Sequence, residues 1–319
     1  MLGHGDGQAR IAAARGRMER AQEVECGHVP VAALRSRSGA IGMARSGCAM
    51  RVQACLVARR FEQERRPGLM LVRSRRLASI YRAMTLRVYI GWDRRQVDAY
   101  EVARFSLARH ASVALDIRPL QLGALRCAGL YWRGEDPLAS TEFTYSRFLV
   151  PALCGFAGRA LYCDCDFLWT GDVGEMLAAA AAAKALWCVQ HDYRPPEATK
   201  MDGRPQSIYP RKNWSSLMLF ECAHPAVRKL TPAVVNEASG AYLHRLQWLE
   251  DGDIGALPRT WNWLEGWDEG PALGAPKAIH FSRGGPWFRD WQHVEYAELW
   301  RAELALLRGD SGKAGGNLP

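Results

Sequence analysis

Two carboxylates follow a short apolar run near the middle of the chain. Residues 159–163 read RALYC, and Asp164, Cys165 and Asp166 come directly after them. In an extended strand, side chains two positions apart point to the same face, so we expect the two carboxylates to converge. Converging carboxylates repel each other unless a cation lies between them, and Mg²⁺ or Mn²⁺ prefers such oxygen ligands. The pattern is compatible with a divalent-metal site that binds a diphosphate, but Asp-x-Asp is common by chance, so two solvated carboxylates at a strand end are an equally open interpretation.

Alternating strand-like and helix-like segments are expected to place these carboxylates at one edge of a sheet. The predicted strands are 86–90, 113–117, 159–163, 186–190 and 216–222, and the predicted helices are 97–110, 140–153, 177–186, 225–238 and 240–250. This order predicts an α/β domain with a mainly parallel central sheet and flanking helices. Sites in such sheets gather at the carboxyl ends of strands, where Asp93, Asp164 and Asp166 fall. The polar segment 191–212 is predicted to be a long loop.

Several short motifs, in this order, resemble glycosyltransferase family 8, whose members share the GT-A nucleotide-sugar fold. They are Leu86–Asp93, Thr144–Arg147, Arg159–Asp166, Gly171–Val173, Trp214–Phe220, Leu257–Pro258 with Trp261–Asn262, and His280–Trp287. The resemblance implies one Rossmann-like GT-A domain that transfers a hexose from a nucleoside-diphosphate sugar to an acceptor hydroxyl. It also implies a UDP-sugar donor, retention of the anomeric configuration, and a glycan or lipid-linked acceptor.

The same resemblance implies roles for individual residues. The metal, Mn²⁺ or Mg²⁺, would be held by Asp164, Asp166 and His280. The donor would be bound by Trp92, Asp93, Thr144, Arg147 and Arg283. Arg283 is expected to replace a family lysine at the place of Gly285, because a guanidinium can also bind a diphosphate. The sugar and acceptor candidates are His191, Asn213, Trp214, Ser215, Gln247, Asp251 and Asp253, and the catalytic residue is left open between Gln247 and Asp253.

Five tryptophans in the last quarter of the chain are candidates for sugar-binding surfaces. They are Trp261, Trp263, Trp267, Trp287 and Trp291. An indole packs well on the apolar face of a sugar ring, and its N–H can donate to a hydroxyl. Because large aromatic side chains also fill protein cores, we expect three of the five to be core residues.

The net charge of the chain is +9, which would suit a nucleic-acid-binding protein, but its distribution argues against that function. Residues 1–83 contain 16 Arg, no Lys and 6 acidic residues, and the rest of the chain is close to neutral. We therefore predict an Arg-rich extension at 1–83, a catalytic domain at 84–305 and a flexible tail at 306–319. The extension is interpreted as a disordered basic arm, a transit peptide, or sequence upstream of a true start at Met84.

Two other functions compete with the glycosyltransferase prediction. A phosphatase of the haloacid-dehalogenase type also carries Asp-x-Asp at a strand end, but it needs Thr or Val where this chain has Leu168. A non-catalytic protein that binds carbohydrate or nucleotide sugar on the same fold is the second alternative. Nine cysteines without a Cys-x-x-Cys pair predict free thiols in the cytoplasm, with a membrane-peripheral location as the alternative. No apolar run reaches the roughly 18–20 residues of a membrane span.

Overall fold

The structure is a computed structural model that describes residues 85–137, 139–192, 210–270 and 273–309. The predicted extension at 1–83, most of the predicted loop at 191–212 and the end of the predicted tail lie outside these residues. Among the helices of the described residues, none is long and apolar enough to cross a membrane.

Nine strands lie in the described part of the chain. They are β1 (Leu86–Gly91), β2 (Leu115–Leu120), β3 (Arg159–Cys163), β4 (Phe167–Trp169), β5 (Leu186–Val189), β6 (Leu217–Glu221), β7 (Ile254–Leu257), β8 (Trp263–Leu264) and β9 (Ala278–His280). Six form the main sheet in the order β2-β1-β3-β6-β5-β7, and β4, β9 and β8 form a second, small sheet. In the main sheet only β6 is antiparallel to its neighbours. The predicted α/β class with a mainly parallel central sheet is confirmed.

Seven helices flank these sheets in the described residues. They are α1 (Val97–His110), α2 (Leu122–Cys127), α3 (Val150–Leu153), α4 (Val173–Ala179), α5 (Pro232–Glu237), α6 (Gly240–His244) and α7 (Ala297–Arg308). Helix α1 buries Ala99, Val102, Ala103 and Ser106, the spacing of one helical face, and packs against β4 and α7.

The prediction of one helix over 140–153 is wrong. The structure has a 3₁₀ turn at Ser146–Leu149 followed by the short helix α3. Before them, the Thr144 hydroxyl donates to the Thr141 carbonyl at 2.9 Å, and the Thr141 backbone N–H donates to the Thr144 hydroxyl at 3.2 Å. Such local bonds from threonine hydroxyls offer the backbone an alternative to a helix, which explains the turn.

Other boundaries differ because capping residues decide where helices begin and end. Helix α4 begins at Val173, not at 177, because the Asp172 carboxylate accepts from the Gly174 N–H at 2.8 Å. Within predicted helix 225–238, helix α5 begins at Pro232 because Thr231 caps it. Helix α6 ends at His244, short of the predicted 250, and Leu246 has a positive φ of 51°.

Two further boundaries are corrected by pairing and by the last helix. The second strand begins at Leu115, not 113, because Leu115 pairs with Leu86 at the start of β1. Helix α7 continues to Arg308, and the next residue, Gly309, terminates it with a φ of 75° that suits glycine. The predicted tail boundary at 306 therefore falls inside a helix.

Strand direction brings several loops to one edge of the main sheet. The carboxyl ends of β1, β3, β5 and β7 meet at this edge because these strands run the same way. β6 runs the opposite way, so the residues that enter it, Trp214–Ser216, reach the same edge. In the small sheet, His280 pairs with Phe167, which follows Asp166 directly. We call this region the carboxyl edge.

The core beneath this edge is apolar and contains free thiols. The cysteines of the described residues are all free, and Cys154, Cys163, Cys165, Cys188 and Cys222 are buried. This agrees with the prediction of unpaired, buried thiols for the described part of the chain.

Candidate functional site

Asp164, Asp166 and His280 converge at the carboxyl edge, as the sequence predicts. One ligand atom from each of the three lies within 4.8 Å of the others. Asp164 and Asp166 follow β3, and His280 ends β9, where its ring stacks on Phe167 with a centroid distance of 4.5 Å. The Nε2 atom of His280 lies 3.3 Å from Oδ1 of Asp166.

The chemistry of this cluster fits a divalent cation. Oδ1 of Asp166 is buried and accepts no hydrogen bond from the described residues. Burial raises the pKa of Asp164 above its usual range, and the neighbouring Asp166 charge adds to that effect. Two carboxylates and an imidazole are a suitable ligand set for Mn²⁺, while Mg²⁺ prefers oxygen ligands alone. The residues present therefore fit the metal that the sequence implies.

Arg147 lies against this cluster but binds Asp164 directly. Its Nη1 atom is 2.9 Å from Oδ1 of Asp164 and donates to the Ser215 carbonyl at 2.9 Å. The guanidinium is buried between the rings of Phe143 and Tyr162. The arginine thus offsets part of the negative charge of the carboxylate pair. Its predicted contact with a donor remains a prediction.

Tyr162 is a contributor that the sequence reasoning missed. Its hydroxyl is fully buried and donates to Oδ1 of Asp164 at 2.6 Å. Tyr162 lies in β3, two residues before Asp164, so the same spacing that predicted the convergence of the two aspartates also places Tyr162 on the side of Asp164. Together, Tyr162 and Arg147 hold the Asp164 carboxylate in one orientation.

Asp93 and Trp92 follow β1 at the same edge. The Asp93 carboxylate is fully buried and accepts from the Arg95 side chain at 3.0 and 2.8 Å and from the Glu142 N–H at 3.2 Å. Burial alone raises the pKa of Asp93, but the hydrogen bonds from Arg95 outweigh it and leave the pKa below its usual value. Trp92 is half-buried against the main core. Asp93 therefore fixes the loop after β1.

A cavity of about 700 Å³ opens beside this loop and is lined by Thr144. Its charged walls carry three arginines and three acids, namely Arg94, Arg95, Arg126, Glu135, Asp136 and Glu142. Tyr131 and Tyr145 supply aromatic surface. The described charges that line the cavity balance, and this balance suits a neutral ligand with many hydroxyls.

Several predicted sugar and acceptor residues also lie at the carboxyl edge. Trp214 donates from Nε1 to the His191 carbonyl at 2.9 Å, and the Ser215 hydroxyl lies 2.9 Å from Nδ1 of His244. Asn213 has a positive φ of 65° and turns the chain into β6. His191 is buried, and burial together with the charges of His280 and Arg259 lowers its pKa to about 3. The structure thus places His191, Asn213, Trp214 and Ser215 near the cluster of Asp164, Asp166 and His280.

The structure places Asp253 away from this edge and leaves Asp251 and Gln247 exposed. Asp253 precedes β7, and its carbonyl accepts from the Ala185 N–H just before β5, so it lies at the amino ends of these strands. Asp251 is exposed and pairs with Arg211. Gln247 follows α6 and is exposed. This placement argues against Asp253 as the catalytic residue, and Gln247 remains a prediction.

Arg283 pairs with a buried acidic residue that follows β8. Its Nη2 atom lies 3.2 Å from Oε2 of the buried Glu265, and its guanidinium lies over the Trp291 ring at 5.8 Å. Burial raises the pKa of Glu265, although Arg283 opposes that shift. Glu265 thus engages the guanidinium within the protein, and the predicted contact of Arg283 with a diphosphate remains a prediction.

Three of the five tryptophans of the last quarter pack in cores, as expected. Trp261 and Trp263 are buried, while Trp267, Trp287 and Trp291 are partly buried. Trp287 packs against Phe281 and Trp300, so its ring belongs to the small core beneath α7. In contrast, Trp132 is 54% exposed, although the sequence reasoning did not select it.

An α/β fold that gathers two aspartates and a histidine at the carboxyl edge of its sheet defines a protein with a candidate divalent-metal centre. In sequence, the chain is 45% identical over 234 residues to Protein CDI of Arabidopsis thaliana, an overlap of 72% of this chain and 90% of that protein. The chain therefore belongs to the Protein CDI family. No protein-family model matches the chain.

Solved glycosyltransferase structures show weaker similarity. The bifunctional glycosyltransferase WbbM has 18% identity and a TM-score of 0.46, covering 70% of this chain and 50% of WbbM. GlyE of Streptococcus pneumoniae TIGR4 has 17% identity and a TM-score of 0.46, covering 74% of this chain and 65% of GlyE. The galactosyltransferase LgtC, solved with donor and acceptor sugar analogues, has 14% identity and a TM-score of 0.47, covering 73% and 98%. This chain thus spans about half the length of WbbM.

Proposed function

We propose that this protein is a metal-dependent glycosyltransferase of the GT-A type, similar to family 8, that transfers a hexose from a nucleoside-diphosphate sugar to an acceptor hydroxyl. The convergence of Asp164, Asp166 and His280 at the carboxyl edge carries the proposal. The ordered motifs between Leu86 and Trp287 support it and indicate a UDP-sugar donor and retention of configuration. The free thiols of the described cysteines favour a reducing compartment such as the cytoplasm.

The proposed role of Asp164, Asp166 and His280 is to bind the divalent cation. A bound divalent cation would neutralise the negative charge that develops on a departing nucleoside diphosphate. Asp164 and Asp166 supply anionic oxygens, and His280 supplies a neutral nitrogen, which favours Mn²⁺ over Mg²⁺. Tyr162 and Arg147 hold Asp164 in place, so the carboxylates need little rearrangement when the donor arrives.

The cavity beside Asp93 is the proposed substrate pocket. Thr144, Glu142 and Arg94 line it and can exchange hydrogen bonds with hydroxyl groups. Trp132 lies in the chain between Tyr131 and Gly134, which both line the cavity. Its backbone N–H donates to Oδ1 of Asn236 at 2.7 Å, so an exposed indole is held on a fixed backbone. We assign Trp132 to the acceptor side, where it would stack on a sugar ring of a glycan or lipid-linked acceptor.

A thermal-shift screen of the full chain tests the proposal. A UDP-sugar or GDP-sugar should raise the melting temperature beyond the effect of MnCl₂ alone, and only when MnCl₂ is present, because a ligand that binds the folded state stabilises it. Release of the nucleoside diphosphate should require the metal and stop in EDTA. The variant Asp166→Asn should lose turnover, whereas Asp290→Asn, which alters an exposed carboxylate in the turn before α7, should not.

Two results contradict the proposal. Full turnover in EDTA would show that the reaction does not require a divalent metal. A metal-dependent shift without any release or transfer of sugar instead supports a non-catalytic protein that binds nucleotide sugar.

A further inference from the structure

Asn262 connects His280 to Ser216, the residue that precedes β6. Its side chain is fully buried where the chain leaves β7. Oδ1 lies 2.9 Å from Nδ1 of His280, and Nδ2 donates to the Ser216 hydroxyl at 2.9 Å. His191 also lies next to Asn262, but neither of its ring nitrogens makes a hydrogen bond of ordinary geometry with the described residues.

The direction of these hydrogen bonds follows from their partners. The Ser216 hydroxyl has one proton and donates it to the Asn213 carbonyl at 2.7 Å. It must therefore accept from Asn262, so the amide nitrogen of Asn262 faces Ser216. The amide oxygen then faces His280, and Nδ1 of the imidazole has to be the donor.

This direction determines what His280 presents to the metal site. In a neutral ring with its proton on Nδ1, Nε2 carries a lone pair. That lone pair faces Oδ1 of Asp166 at 3.3 Å, and this oxygen accepts no hydrogen bond in the described part of the chain. Two electron-pair donors facing each other are stabilised by a cation between them.

Ser216 also fixes the other half of the cluster. Its carbonyl accepts from the Asp164 N–H at 2.9 Å. One hydrogen-bonded path thus runs from the backbone of Asp164 through Ser216 and Asn262 to the ring of His280. Phe167 stacks on that ring with an angle of 12° between planes and restricts its tilt.

We infer that Asn262 is a positioning residue for the metal site, and that it holds His280 in the tautomer whose Nε2 binds the cation. Ser216 links this orientation to Asp164, so the three ligands are set before a metal arrives. The inference rests on the proposed metal-dependent function. Partners behind a metal-binding histidine generally fix its tautomer, and their loss lowers metal affinity tenfold to a hundredfold.

Mn²⁺ binding to the full chain, measured by electron paramagnetic resonance without any nucleotide sugar, tests this. Asn262→Ala should weaken Mn²⁺ binding roughly tenfold to a hundredfold. Asn262→Asp should bind more tightly than Asn262→Ala, because a carboxylate still accepts from Nδ1. Equal Mn²⁺ affinity of folded Asn262→Ala and wild type would overturn the inference.

The tautomer gives a second readout that does not depend on a variant folding. In ¹⁵N-histidine spectra of the metal-free wild type at pH 8, His280 should carry its proton on Nδ1. A proton on Nε2 would overturn the inference. Failure of the wild type to bind Mn²⁺ refutes the proposed metal site, and the tautomer then decides the Asn262 contact by itself.

Discussion

The guanidinium of Arg147 lies 2.9 Å from the Asp164 carboxylate, and both groups are buried at the carboxyl edge. The ion pair places one fixed positive charge beside two carboxylates that otherwise repel each other. A buried charge whose partner is removed is strongly destabilising, because its desolvation is no longer compensated. Arg147 therefore keeps the aspartate pair together in the absence of a metal, and a metal would supply the remaining positive charge.

Replacing Arg147 should test this division of charge. Arg147→Ala should lower the free energy of unfolding by about 3–5 kcal/mol in metal-free buffer. MnCl₂ should restore more stability to the variant than to the wild type, since the cation can offset the uncompensated carboxylates. Urea unfolding with and without MnCl₂ measures both effects. Arg104→Ala removes an exposed arginine that pairs with Glu101 on α1 and should change stability by less than about 1 kcal/mol. An equal effect of MnCl₂ on Arg147→Ala and wild type would contradict the prediction.

Trp132→Ala should affect acceptor use without affecting donor cleavage. The ring is 54% exposed, so its removal should change the free energy of unfolding by only about 0.5 kcal/mol. Loss of one stacked sugar should raise the acceptor KM roughly threefold to tenfold. Steady-state transfer to the acceptor, beside hydrolysis of the donor in water, measures the two activities. Leu299→Ala alters a comparably exposed side chain on α7 and should change neither one. An unchanged acceptor KM for Trp132→Ala would exclude this ring from the acceptor surface.

His191 should make stability depend on pH. Its pKa falls from the ordinary 6.5 to about 3 in the folded protein, so between these values the unfolded chain binds a proton that the folded chain does not. Stability is therefore retained above pH 6.5 and is lost as the pH falls toward 3, by about 1 kcal/mol per pH unit. His191→Gln removes this contribution, so the variant should gain stability relative to wild type as the pH falls. Urea unfolding at pH 7.5, 6 and 5 measures the difference, and parallel curves for the two proteins would refute it.

The sequence predicted what depends on local pattern. The apolar run at 159–163 predicted β3, the spacing of two residues predicted the convergence of Asp164 and Asp166, and periodicity predicted α1 with its bounds. The mainly parallel sheet followed from the alternation of strands and helices. These features depend on neighbours in the chain, which a pattern can report.

Features set by distant contacts could not be predicted in the same way. Arg283 pairs with Glu265 through a turn at Gly266, and sequence spacing does not reveal that pair. Asp253 lies at the amino end of β7, and that placement depends on β7 pairing parallel to β5. Asn262 contacts His280 because it directly precedes β8, which pairs with β9 in the small sheet. Each case depends on the order of strands in space.

Gly91 should prove to be a position that admits only glycine, because it ends β1 against a rigid ring. A Cβ atom there would lie 2.5 Å from Cγ of Phe143. The side chain of Phe143 is fully buried, and its backbone carbonyl accepts a hydrogen bond from the Arg147 side chain. Gly91→Ala should therefore lower the free energy of unfolding by about 1–3 kcal/mol. Gly134→Ala is the matched control, since Gly134 lines the cavity, its φ is not positive, and a Cβ atom there would meet no described atom within 4 Å. That variant should keep or slightly raise stability, because alanine restricts the unfolded chain. If the two variants unfold at equal urea concentrations, the Phe143 ring can move to accommodate a Cβ atom at position 91. In that case β1 does not fix the position of the 3₁₀ turn Ser146–Leu149 that contains Arg147.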